Sequence, residues 1–316
     1  MFLEQGFKGK HHWYHYFGGT LLIFFLFLAA QGFVAVFLEY HAHPVSLMNA
    51  SLPEVMKATG LSENFIVFLL LASFVFASVG IYLAVRFIHQ RSFKSLITPF
   101  QKINWRKYFF SFGLMSSFII FSTIISYYFY PEDLLFQFEL FPFLILLIIS
   151  IFLIPIQAGF EELFFRGYLL QGLGVIFRNR WAPLILTSVL FGLMHASNPE
   201  VDQLGESLLI YYIGTGLFMG IITLMDDSLE LALGFHTANN FIQILLITSD
   251  YSVFQSPSIL KDLSKPTEAW SEILFPLLIL YPLLILIFSR KYKWKNWKEK
   301  LSGSVQPIPP ENFPQV

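Results

Sequence analysis

The sequence contains no cysteine. That excludes a disulfide framework, thiolate metal sites, iron–sulfur ligation and a cysteine nucleophile. Charge is scarce as well: 13% of the 316 residues are charged, against roughly 25% in a soluble domain. So few charges cannot cover a water-soluble globule. A disordered chain and a nucleic-acid binder are excluded too, because the first needs high charge and the second needs clustered Lys and Arg. The net charge of −1 selects no partner. Apolar residues are what the chain has in abundance. Hydrophobic residues make up 55%, Phe alone occurs 38 times, and the mean hydropathy is +0.62. Lipid is the solvent this composition fits.

A bilayer core of roughly 30 Å takes about 20 apolar residues per helix. Eight segments meet or approach that length: about 17–37, 65–88, 108–129, 140–160, 181–197, 208–225, 229–248 and 273–289. None shows long period-2 alternation, which argues against a barrel. The first run is too long for a signal peptide and lacks a small-residue cleavage site. The fold class expected is all-α: a polytopic integral membrane protein with about eight transmembrane helices and a polar cavity among them.

Basic residues orient the chain. With the N-terminus inside and sides alternating, all but Lys57, Lys261 and Lys265 of the 20 basic residues fall inside. The positive-inside rule predicts this skew. It places both termini in the cytoplasm and the protein in an inner or plasma membrane. Residues 38–64 and 249–272 become outside loops and 89–107 a basic inside loop. One membrane domain is expected over 1–300, with a Pro-containing, disordered tail over 301–316. Lys and Trp in 291–298 read as an anchor to anionic lipid. The cluster His11, His12 and His15, beside Trp13, Tyr14 and Tyr16, reads as an interfacial belt. Gly216 and Gly220 read as a helix-packing pair.

Ionisable residues at membrane depth are costly and usually serve a function. Few exist here. Glu161 and Glu162 follow the run Leu144 to Phe160. His195 ends the run Leu184 to Met194, and His236 lies in Leu231 to Phe241 with Asn239 and Asn240 beyond it. Glu161 and His195 each lie 17 residues from Arg178, the turn between their helices, so a hairpin sets them at similar depth. His236 and Asn240 are i,i+4 on one helix face, as are Phe191 and His195. Arg166 is i+4 from Glu162, the favourable order for an ion pair. That pairing leaves Glu161, about 100° away around the helix, to face the cavity. In a partly dehydrated site such a carboxylate suits a general base near neutral pH. One distance conflicts. Straight helices put Glu161 and His195 about 20 to 25 Å from their inside turn, and His236 about 12 Å from its own. Tilt, a break at Pro155 or Gly159, or an interfacial helix over 166–176 would each reconcile them.

These residues resemble the motifs of a known family. Glu161-Glu162-Leu-Phe-Phe-Arg166 resembles the EExxxR motif of the CPBP family, the CAAX proteases and bacteriocin-processing enzymes also called the Abi family. Phe191-Gly-Leu-Met-His195 resembles its FxxxH, and His236-Thr-Ala-Asn-Asn240 its HxxxN. The three occur in the family's order over about 155–245, with a core expected over 140–248. The resemblance implies a metal-independent intramembrane glutamic protease that needs no cofactor. Glu161 would activate water with help from His195. His236 and Asn240 would donate to the oxyanion, and Glu162 and Arg166 would shape the site. The partner implied is a peptide or protein substrate at the membrane, prenylated or otherwise membrane-associated. Three other readings fit some of the same residues. They are a zinc-dependent membrane protease using Glu and His ligands, a proton-coupled transporter, and a non-catalytic immunity or partner protein. No HExxH helix supports the zinc reading.

Overall fold

The computed structural model describes residues 1–47, 52–264 and 270–307. Helices dominate. In chain order they are α1 (Trp13–Ala42), α2 (Leu52–Thr59), α3 (Glu63–Leu83), α4 (Trp105–Phe129), α5 (Leu140–Glu162), α6 (Leu170–Phe177), α7 (Trp181–Leu193), α8 (Pro199–Leu204), α9 (Leu208–Asp226), α10 (Glu230–Leu246), α11 (Trp270–Phe275), α12 (Tyr281–Tyr292) and α13 (Trp297–Ser302). Three three-residue strands, β1 (Leu134–Phe136), β2 (Ile247–Ser249) and β3 (Leu260–Asp262), form a small sheet in the order β1-β3-β2.

The all-α polytopic class holds. Six helices among the described residues are long and apolar enough to cross a membrane. The remaining two expected spans are shorter: α7 has 13 residues and α10 has 17. Large apolar side chains point outward along the long helices, among them Phe25, Phe33, Phe121, Phe141 and Phe152. In water such a surface would be a liability, whereas against lipid tails it is neutral.

Local chemistry sets several helix ends. The Ser62 hydroxyl accepts from Phe65 N (3.3 Å) and starts α3, and Asn104 accepts from Arg106 N (3.2 Å) and starts α4. α6 and α9 stop at Arg178 and Asp227, both left-handed, with φ of 56° and 54°. α5 does not stop at Glu162. Its backbone continues through a π-helical stretch, Leu163–Leu169, into α6. The unbroken helix Leu140–Phe177 has 38 residues, about 57 Å if straight, nearly twice the bilayer core.

α7 and α9 touch almost backbone to backbone. A Cβ on Gly216 would lie 2.9 Å from the Ser188 carbonyl oxygen, and one on Gly192 would lie 2.9 Å from Ile213 N. Gly216 and Gly220 therefore pack helices, as expected.

The N-terminal residues are folded inward. Phe2 and Leu3 are buried. Phe2 N donates to Asp227 Oδ1 (3.1 Å), Glu4 pairs with Arg180, and Arg91 Nη1 bridges Gln5 O (2.8 Å) and Gln171 Oε1 (2.9 Å). His89 locks this corner to the π stretch. Its Nδ1 donates to Lys10 O (2.7 Å), and its Nε2 accepts from the Tyr168 hydroxyl (2.8 Å). His11, His12 and His15 form a stack of rings at the start of α1.

Two expected loops contain structure. The 249–272 segment carries β3, which pairs antiparallel with β1 and parallel with β2. Residues 265–269 of that loop, and 48–51 of the loop over 38–64, lie outside the described residues. So do 308–316 of the expected tail. Residues 301–307 are held: Ser302 ends α13, and the buried Val305 donates its N–H to Arg178 O (3.0 Å).

The His89 lock has a pH signature. Burial, and then the Arg91 charge, lowers its pKa from 6.5 to about 4. Between those values the unfolded chain binds a proton that the folded chain refuses, so stability falls as pH drops from about 6.5 to about 4. Below about 4 this contribution is constant. Thermal unfolding in detergent should show that slope, and His89→Gln should flatten it. An unchanged slope in the variant would assign it to other groups.

Candidate active site

Glu162 and Arg166 form the buried base of the site. Both side chains are fully enclosed, and Arg166 Nη1 lies 2.7 Å from Glu162 Oε1. Burying such a pair is stable only when further hydrogen bonds and contacts offset the lost hydration. They are present. Arg166 Nη2 donates to Gly216 O (3.1 Å), and the guanidinium lies 4.3 Å above the Phe191 ring. The absence of a side chain on Gly216 brings that carbonyl within reach. Arg166 itself sits in the π stretch, a departure from α geometry that recurs at functional sites.

His236 joins the two glutamates. Its Nδ1 donates to Glu162 Oε1 at 2.8 Å, and its Nε2 lies 3.5 Å from Glu161 Oε2. The expectation that Arg166 holds Glu162 and leaves Glu161 to the cavity agrees with these contacts. The Glu161 side chain is 14% exposed, where Glu162 is 0%. Its Oε1 accepts from Gln157 Nε2 (2.5 Å), one turn earlier on α5.

Asn240 is held by a neighbour that the sequence reading did not single out. Its Nδ2 donates to Gln157 Oε1 at 2.8 Å, and its Oδ1 accepts from Asn239 (3.0 Å). His236 and Asn240 do share one face of α10, but they address different partners: Glu162 and Glu161 for the ring, Gln157 for the amide.

His195 stands just past the end of α7. Its Nδ1 donates to Phe191 O (2.7 Å), which makes Nε2 the acceptor of the neutral ring. The ring stacks on Tyr212, with centroids 4.2 Å apart and planes at 20°. Phe191 is the hub of this wall. It touches the rings of Phe165, His195 and His236 as well as the Arg166 guanidinium.

Glu161, His195, His236 and Asn240 all line one cavity of about 420 Å³. Gln157, Asn239, Gln243 and Tyr212 extend its polar side. An aromatic side is built by Phe24 and Phe27 of α1, Phe74 of α3, and Phe160 and Phe164. Among the described residues, no three His, Asp or Glu side chains are arranged to hold a metal ion.

Gln157 and Tyr212 are the residues that sequence reasoning missed. Carboxylates and imidazoles stand out in an apolar run, whereas an amide and a phenol do not. The available signal was a lone amide in the apolar run before Glu161, at i−4.

Residues 140–242 match the family model of the type II CAAX prenyl endopeptidase Rce1-like proteins. The chain is 35% identical over 239 residues to a Bacillus subtilis (strain 168) protein named "Uncharacterized protein YyaK", a match covering 73% of this chain and 76% of that one. No solved structure matches the chain. The matched stretch contains Glu161, Glu162, Arg166, Phe191, His195, His236 and Asn240, the residues that meet around the cavity. The chain belongs to the type II CAAX prenyl endopeptidase Rce1-like family of membrane peptidases.

Proposed function

We propose that this protein is a metal-independent glutamic endopeptidase working inside the membrane, and that Glu161 is its general base. The observation that carries the reading is the division of labour between two adjacent carboxylates. Glu162 is enclosed and neutralised by Arg166, while Glu161 meets the cavity beside a histidine and an amide.

Peptide hydrolysis needs a base for water, donors for the tetrahedral oxyanion and a proton for the leaving amine. Glu161 takes a proton from water as the oxygen attacks the peptide carbonyl carbon. Asn240 has a second N–H beyond the one given to Gln157, and this donates to the oxyanion. His236 stands beside Glu161 and adds a donor whenever its Nε2 carries hydrogen. The C–N bond then breaks, and the proton first taken from water reaches the leaving nitrogen. His195, held by Phe191 O and stacked on Tyr212, relays protons and orients the water through Nε2. The products are a carboxylate and an amine.

The substrate is a membrane-associated protein tail. The polar side of the cavity suits a peptide backbone, and the aromatic side suits a prenyl or acyl chain. The proposed setting is an inner or plasma membrane with both termini cytoplasmic, on the strength of the basic-residue skew.

Glu161→Gln should abolish cleavage while leaving expression and thermal unfolding unchanged, and wild-type cleavage should persist in chelator. C-terminal proteomics of cells with and without the gene reads the cleavage and identifies the substrate. Equal product from wild type and variant would remove Glu161 from the mechanism, and chelator inhibition reversed by zinc would replace the metal-independent reading.

Arg166→Ala and Glu162→Ala strand a buried charge, which typically costs about 3–5 kcal/mol. Both should lower the unfolding temperature along with activity. Wild-type stability in either variant would show that the pair does not support the site.

A further inference from the structure

The proposed reaction uses one carboxamide, Asn240, of a row that ends on Glu161. Gln243 Nε2 donates to Asn239 Oδ1 (3.2 Å), Asn239 Nδ2 to Asn240 Oδ1 (3.0 Å), Asn240 Nδ2 to Gln157 Oε1 (2.8 Å), and Gln157 Nε2 to Glu161 Oε1 (2.5 Å). Every donation runs the same way. The reason lies at the end of the row: an ionised carboxylate can only accept. Gln157 must therefore turn its NH₂ toward Glu161, which turns its oxygen toward Asn240. Asn240 must answer with its own NH₂, and the rule repeats to Gln243 at the exposed rim.

Gln157 is the crossing point of the row. The other three amides lie on α10, and Gln157 is on α5. It is 4% exposed, and its amide is engaged at both ends by Glu161 and Asn240. A simple helix–helix contact would need one hydrogen bond. Gln157 uses both ends of its amide, one on the base and one on the oxyanion donor.

We propose that Gln157 is a positioning residue that fixes the Glu161 carboxylate and, through its oxygen, the direction of the Asn240 amide. This rests on the reading of Glu161 as the general base. A donor on one carboxylate oxygen leaves the other to meet water. An acceptor on one N–H of Asn240 leaves the second for the peptide carbonyl. Gln157 thus couples the two halves of the reaction without touching the substrate.

Two measurements test this in the full-length protein in nanodiscs. The first is a kinetic cycle of Gln157→Met, Asn240→Leu and the double variant, read on a library of internally quenched, lipid-tailed peptides. Gln157→Met should lower kcat by about 10- to 100-fold, the scale of a misplaced catalytic group, with KM nearly unchanged. The double variant should lose little more than the worse single, because both break the same row. A raised KM with unchanged kcat, or losses that multiply, would overturn the proposal.

The second measurement needs no turnover. Infrared difference spectra between each protein and its Glu161→Gln counterpart isolate the antisymmetric carboxylate stretch of residue 161. That band should move in Gln157→Met, which loses the charge-assisted donor. It should move also in Gln157→Asn, which keeps an amide but is one methylene too short to reach both partners; this variant serves if the first does not fold. An unmoved band in a folded variant overturns the positioning role whatever the kinetics show. A moved band where wild type cleaves no peptide supports the placement of Glu161 and tells against the peptidase reading instead.

Discussion

Two adjacent glutamates close one apolar helix, and only one of them has an arginine. The rest of the site is arranged around that inequality. Arg166 is enclosed, bonded to Glu162 and to a backbone carbonyl, and stacked on Phe191. It has no freedom left to serve Glu161. The second carboxylate is met instead by two single contacts, Gln157 and His236. His236 donates from Nδ1 to Glu162, so a hydrogen on Nε2 is present only in the charged ring. The ring thus ties the two glutamates together, bonded to Glu162 and 3.5 Å from Glu161.

The site's polar side chains come from long and short helices alike: Gln157 and Glu161 from α5, His236 and Asn240 from α10, and His195 from just past α7. α7 and α10 carry or abut His195, His236 and Asn240, and they are the two shortest of the eight expected spans. α10 is largely buried among its neighbours, whereas α7 keeps Trp181, Leu190 and Leu193 exposed. Close approach at Gly216 lets α9 deliver a carbonyl to Arg166 while packing on α7. One glycine thus serves packing and electrostatics together.

Much of this was legible in the sequence because hydrocarbon is an unforgiving solvent. A carboxylate or imidazole in an apolar run stands out, and i,i+4 spacing assigns it a face. Glu161, Glu162, Arg166, His195, His236 and Asn240 were found that way, and Phe191 through its spacing to His195. Gln157 was hidden because a neutral amide interrupts an apolar run only weakly, and its value comes from two partners on different helices. The strands were hidden because three residues carry no period. The inward fold of residues 1–7 depends on contacts with Gln171, Arg180 and Asp227, each more than 160 positions away along the chain. No local pattern predicts such contacts.

The disagreement over depth has a physical resolution. Phe2 binds Asp227 and Glu4 pairs with Arg180, so the turns beside α6 and α10 lie at one level. Straight helices would then put Glu161 about 25 Å and His236 about 14 Å from that level. Yet their side chains meet. The segment from Leu163 to Phe177 must therefore run obliquely to α10, and its first part is the π stretch. The departure from α geometry begins one residue after Glu162, so the carboxylates end the regular part of the helix. There they stand between the aromatic wall of α1 and α3 and the amide wall of α10. A peptide bond could reach Glu161 from the wet side while an apolar chain stays on the dry one.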